Sequence, residues 1–248
     1  APGLEDLSDM EEKIRGEAAY LRERYGDRHP GERLKIAVSR DEAFCFIYED
    51  NMELLRDLGA ELIGFSPLHD EKIPEDADGV MFFGGYPELY AKELSENLSM
   101  RSDVRDKISG GMPCMAECGG FMYLHTSMED MEGCAYPAAG VIEGNAFKTG
   151  KLSRFGYIEL TPQDGQAKGY SPFTDHIRGH EFHYFDSTSC GDAYQARKPL
   201  RKRKWSCLHE TETMLAGFPH LYYHSNIRIA VNFLEKCWKY HEKDIAGK

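Results

Sequence analysis

The sequence predicts an α/β protein with a doubly wound, mostly parallel sheet flanked by helices. Two observations carry that expectation. Short apolar runs at residues 34–39, 62–65, 80–83 and 112–116 alternate with helix-compatible segments, a pattern that buries a parallel sheet on both faces. Glycine pairs close two of these stretches, Gly84-Gly85 after one run and Gly119-Gly120 after Glu117-Cys118, as tight strand-to-helix turns require.

The elements follow in order. Residues 1–31 form a polar, charged prelude. Within it Leu7, Met10, Ile14, Ala18, Leu21 and Tyr25 keep a three-four spacing, and Ser8 with Glu11 resembles a capping box. One amphipathic helix is expected, ending near Gly26, then a linker through Pro30 and Gly31. Its apolar stripe would pack either on residues 32–248 or on a preceding domain. The first strand at 34–39 leads to a helix carrying Met52, Leu55 and Leu58 that stops at Gly59. Strands at 62–65 and 80–83, helical segments at 88–98 and 104–109, and a strand at 112–116 complete the doubly wound half. After residue 140 come strand-like pieces at 154–160, 180–185 and 205–209. Asn226 or Ser225 then caps a final helix through Ile229, Phe233 and Trp238. In such a sheet the ligand site lies beyond the carboxyl ends of the strands, where both glycine pairs and Cys118 fall.

Composition narrows the function. With 248 residues the chain is one large domain or one and a half, and a net charge of −12 argues against nucleic acid as a partner of the whole surface. The basic run from Arg197 to Lys204 reads as a solvated loop rather than a ligand contact. No run is long enough to span a membrane, and the first residues carry no signal-peptide pattern. Seven cysteines without a CxxC pair argue against disulfides and structural zinc, so a reducing cytoplasm is the expected home.

The chemistry centres on Cys118. A thiol at a strand-to-helix turn meets backbone N–H groups and a helix N-terminus that favours thiolate. It needs a base, and Ala216-Gly217-Phe218-Pro219-His220 supplies one from 102 residues downstream; His224 and His183 are its rivals. In Gly179-His180-Glu181-Phe182-His183-Tyr184, strand alternation puts Glu181 and His183 on one face and His180 and Phe182 on the other.

Four segments, taken in order and with their spacing, resemble the glutaminase domain of the cobyrinic acid a,c-diamide synthase family, a branch of the class I glutamine amidotransferases. They are Ile36 to Phe46, Gly84-Gly85-Tyr86-Pro87-Glu88-Leu89, Ala116 to Leu124, and Gly179 to Tyr184. The resemblance implies a flavodoxin-like fold and a glutaminase with Cys118 as nucleophile and His220 as base. It implies an oxyanion hole from the N–H groups of Gly85 and Gly119, and a substrate side formed by Gly84, Tyr86, Phe121 and His183. No metal is expected in the site. The acidic residue that often follows the histidine by two positions is Tyr222 here, so a Cys–His pair without a carboxylate at that position is expected; Glu117 reads equally as a structural carboxylate or as part of the site. No GxxxxGK[ST] segment occurs; the nearest match, Gly144 to Leu152, has one residue too many. ATP and magnesium are therefore expected in a synthetase domain N-terminal to this chain, with a tetrapyrrole polycarboxylate as acceptor. Cobyrinic acid, hydrogenobyrinic acid and nickel-sirohydrochlorin stay open as acceptors, as does a homodimer. A degenerate domain that only binds glutamine or its partner is the non-catalytic alternative.

Overall fold

A computed structural model describes residues 4–163, 169–170 and 176–247. The first half contains α1 (Leu4–Arg24), β1 (Lys35–Ser39), α2 (Glu49–Asp57), β2 (Glu61–Phe65), β3 (Gly79–Phe82), α3 (Ala91–Glu96), α4 (Leu98–Ser109), β4 (Cys114–Glu117) and α5 (Gly119–Tyr123). Every residue of β3 and β4 is buried. Strands covered on both faces read as continuous apolar runs rather than alternating ones.

The second half adds β5 (His125–Glu129), β6 (Ala135–Pro137), β7 (Ile142–Lys148), β8 (Arg154–Pro162), β9 (Ile177–His183), β10 (Phe185–Ser187), β11 (Tyr194–Arg197), β12 (Lys204–Cys207), β13 (His209–Glu210), β14 (Met214–Gly217), β15 (His220–Tyr222) and α6 (Arg228–Gly247). The central sheet runs β13-β14-β4-β3-β1-β2, parallel except where β13 meets β14. Its order reverses between β1 and β3, the switch point where α/β sheets open a ligand crevice. Beside it lie a sheet β10-β7-β5-β6 and an antiparallel sheet β12-β11-β8-β9-β15.

Three expectations change. Residues 180–185 are two strands, β9 and β10, in different sheets. Residues 205–209 also divide, because Leu208 takes φ 63°, which breaks an extended strand. Helix α1 begins at Leu4, so Ser8 and Glu11 lie inside it and cap nothing.

The apolar stripe of α1 packs on the body of the domain. Leu21 and Tyr25 are buried in the main core, where Tyr25 stacks on Trp238 of α6 at 5.8 Å. Each buried side chain contributes about 1.5–3 kcal/mol. The half-exposed Arg228–Glu17 ion pair beside them (2.8 Å) is worth less than about 1 kcal/mol, so packing holds this helix. At the other end Asn226 Oδ1 accepts from the Arg228 N–H, which makes Asn226 the cap of α6. The basic run is the β11–β12 hairpin tip, with Leu200 almost fully exposed. No described helix is long and apolar enough to cross a membrane.

Candidate active site

Strand β4 ends at Glu117 and α5 begins at Gly119, leaving Cys118 alone at the turn with φ 49° and ψ −107°. That conformation costs a non-glycine residue about 1–3 kcal/mol and persists only where neighbours over-determine it. Here they do. The Cys118 N–H donates to the Gly217 carbonyl of β14 (2.8 Å), and the Cys118 carbonyl accepts from the Met122 N–H (2.9 Å). Since its own N–H is engaged, the candidate donors beside the thiol are those of Gly119 and Gly85. Neither meets a protein acceptor among the described residues. A Cβ added to Gly119 would lie 3.2 Å from the Gly85 nitrogen, so the two donors are neighbours in space.

The second half delivers the imidazole. The chain leaves the central sheet at Gly217, passes Phe218-Pro219 and enters β15, whose first residue is His220. Its ring is buried, with Phe46 at 4.6 Å between centroids. Gly84 is wedged between imidazole and thiol: an added Cβ would lie 2.4 Å from His220 Cε1 and 3.4 Å from Cys118 Cβ. Only glycine fits there.

Glu117 completes the group. Its Oε2 lies 3.7 Å from His220 Nδ1, which leaves Nε2 for the thiol side. Its Oε1 accepts from the Leu221 N–H (3.3 Å) and the Tyr223 hydroxyl (3.2 Å). Burial alone would lower the His220 pKa, but Cys118 and Glu117 outweigh it and hold the imidazolium up to about 10. A carboxylate thus reaches His220 from Glu117, the residue before Cys118, while Tyr222, two residues after the histidine, stacks on His224. Sequence reasoning misses Asn51 of α2. Its Nδ2 donates to the Leu221 carbonyl (2.8 Å) and its Oδ1 accepts from the Tyr223 N–H (3.0 Å), fixing the backbone just after His220. The one sign of it in sequence is a polar residue next to Met52 on an otherwise apolar helical face.

Residues 35–226 match the family of CobB/CobQ-like glutamine amidotransferase domains. The chain belongs to that family. It is 39% identical over 215 residues to cobyrinate a,c-diamide synthase of Caldanaerobacter subterraneus subsp. tengcongensis, covering 85% of this chain and 47% of that protein. It is 37% identical over 207 residues to the Priestia megaterium protein of the same name, covering 82% and 44%. The chain spans about half the length of the curated relatives it matches. Among solved structures, PurLQS from Thermotoga maritima has a TM-score of 0.56 at 14% identity, covering 85% of this chain and 100% of that one. A crystal structure of a glutamine amidotransferase gives 0.55 at 17% identity, covering 82% and 98%. At such identity the likeness shows the fold alone.

Within this glutamine amidotransferase domain, the remaining predicted residues separate. Tyr86 is exposed beside the glycine pair. The Phe121 side chain is fully buried against His125 and Phe218. His183 is buried too: its Nδ1 lies 2.6 Å from the Phe185 carbonyl, its ring stacks on Phe218 at 4.0 Å, and burial pushes its pKa down to about 4. Neither side chain offers a ligand a free surface. The motif side chain that reaches the cavity beside His220 is His180, opposite His220 in the β9–β15 register. It lines a cavity of about 630 Å³ with Tyr48, Asp50, Tyr157, Arg178 and His220. Asp41 is a loop organiser, accepting from the Ala43, Phe44 and Leu68 N–H groups and the Ser66 hydroxyl.

Proposed function

We propose that this chain is the glutaminase part of an ATP-dependent amidotransferase, hydrolysing glutamine to supply ammonia for amidation of tetrapyrrole acetate carboxylates. The observation that carries the reading is the buried His220 between Cys118 and Glu117, beside two unengaged backbone donors.

The reaction follows from that arrangement. With His220 protonated beside it, the sulfur of Cys118 attacks the side-chain amide carbon of glutamine. The C–S bond forms as the carbonyl electron pair moves onto oxygen, where the Gly85 and Gly119 N–H groups receive it; one such donor is worth about 10²–10³ in rate. His220 Nε2 gives its proton to the nitrogen, the C–N bond breaks, and ammonia leaves. Water then attacks the thioester with His220 as base, the C–S bond breaks, and glutamate leaves with Cys118 and the His220 imidazolium restored. The cavity of about 630 Å³ is of small-ligand size, and Arg178 with Asp50 suits the two charges of a free amino acid.

The amidating part, with its ATP and magnesium, is the proposed partner, and a tetrapyrrole polycarboxylate the proposed acceptor. The names of the relatives support this, as does a row of rings on β8, on β9 and just after it, all exposed except the half-buried His180. Tyr157, His180, Phe155, Phe182 and Tyr184 follow one another at 5.4–5.9 Å from the cavity outward. Rings exposed in this way mark an interaction face, and ammonia has to enter its acceptor's site without loss to water.

Glutamate release by the purified chain, followed with and without a glutamine-analogue electrophile, tests the reading. One equivalent of label on Cys118 and loss of turnover are expected. Labelling of Cys45 in its place would overturn the nucleophile, and a chain that neither turns over nor takes label would be a degenerate binding domain.

A further inference from the structure

A second constellation lies at the opposite end of the central sheet. Glu32 precedes β1, Asp78 directly precedes β3, and His241 and Glu242 lie late in α6. His29 follows α1 and stacks on Trp238 at 5.5 Å. Five side chains that bind protons or metals therefore meet at the amino ends of strands whose carboxyl ends carry Cys118.

Their arrangement is ordered. Glu32 Oε2 lies 2.7 Å from His241 Nε2 and 3.6 Å from His29 Nδ1. Each imidazole turns its other nitrogen to a carboxylate of its own: His241 Nδ1 is 2.7 Å from Asp78 Oδ1, and His29 Nε2 is 3.3 Å from Glu242 Oε1. Asp78 is buried and also accepts from the Lys35 N–H, so its orientation is fixed by the sheet. A carboxylate behind each histidine, fixing the tautomer and aiming the free nitrogen, is how imidazoles are prepared for a metal.

We propose that His29 Nδ1, His241 Nε2 and the Glu32 carboxylate form a zinc-type divalent metal site, with water in the fourth position. The three ligand atoms lie within 4.8 Å of one another. Tetrahedral zinc with bonds near 2.0 Å sets neighbouring ligand atoms about 3.3 Å apart, between the 2.7 and 3.6 Å seen here. Two imidazoles and one carboxylate are a donor set zinc accepts. Bound metal would join the segment after α1 to α6 and to the edges of β1 and β3. This site stands independently of the glutaminase reading.

The test is titration of the metal-free protein with zinc chloride by calorimetry and with cobalt(II) by visible absorption. One equivalent should bind, with ligand-field bands but no sulfur-to-cobalt charge transfer. Saturating zinc should raise Tm by about 6 °C. His29→Gln and His241→Gln should abolish binding, and Asp78→Asn should weaken it about 10-fold through its histidine. Where a histidine variant fails to fold, Glu32→Gln decides, since that half-exposed side chain can change without disturbing the core. Absence of binding, binding by Glu32→Gln equal to the parent, or a charge-transfer band placing cobalt on a cysteine would each overturn the site.

Discussion

The two halves of the chain reach the same site by different routes. From β1 to α5 each strand joins the central sheet beside strands formed nearby in sequence, and each loop at the carboxyl edge follows directly from its strand. From β5 onward local hairpins alternate with distant pairings, and the pairings that build the site are distant: β14 pairs with β4, with Met214 opposite Cys114, and β15 pairs with β9 in a different sheet. The thiol belongs to the first half and the imidazole to the second. The Cys118–His220 pair therefore exists only once long-range pairing is complete, and its placement rests on Glu117 and Gly84, first-half residues packed against the histidine.

Substitutions can break that division. His220→Ala should reduce glutamate release about 10³-fold, while His224→Ala, whose ring only stacks on Tyr222, should stay within about twofold. The reverse ranking would move the second half's contribution one turn along the chain. Gly84→Ala comes next. Its methyl would drive the His220 ring from its position beside Cys118, and an ångström of misplacement costs about 10²-fold; an unchanged circular dichroism spectrum with full activity would show that the wedge is not needed.

Glu117→Gln is the smallest of the three and the sharpest. It removes one of the two groups that hold His220 protonated. Turnover should fall about 10-fold with KM little changed, and the alkaline limb of the pH–rate profile should move to lower pH. The same shift fixes the sign of the stability effect. His220 ordinarily titrates near 6.5 and here near 10. The pair's stabilisation is therefore complete below pH 6.5 and fades as pH rises through 10, and the variant should lose part of that dependence. A Glu117 that served only packing would lower Tm and leave the alkaline limb in place.

Legibility in the sequence follows the same divide. The apolar runs at 34–39 and 80–83 are central strands, and the turn at Cys118 announces itself through two small residues that must follow it. What the sequence hides is set by contacts at a distance. Glu117 cannot be told from a structural carboxylate there, because its role depends on β15 returning beside β4. The motif on β9 points to His183 rather than His180, since alternation separates the two faces of the strand without saying which one meets the core. The β5–β7 strands escape a local reading because their pairing shifts register between His125 and Ser127, and β10 because it is three residues long and its partner β7 lies some way back in the chain. Asn51 needs the path of the backbone at Leu221 and Tyr223.

The backbone of Cys118 has a consequence for how such chains diverge. At φ 49° and ψ −107° it adopts the mirror image of an ordinary extended conformation, which glycine occupies freely. Relief of about 1–3 kcal/mol exceeds the roughly 0.5–1 kcal/mol that glycine's greater freedom in the unfolded chain takes back. With Cys118 as the proposed nucleophile, the substitution that removes the sulfur is thus one the backbone at this turn would welcome. On the proposed reading, a lineage released from the need for ammonia could exchange this thiol for glycine and relax the turn, giving up in return the Cys118 contact that helps hold the His220 imidazolium.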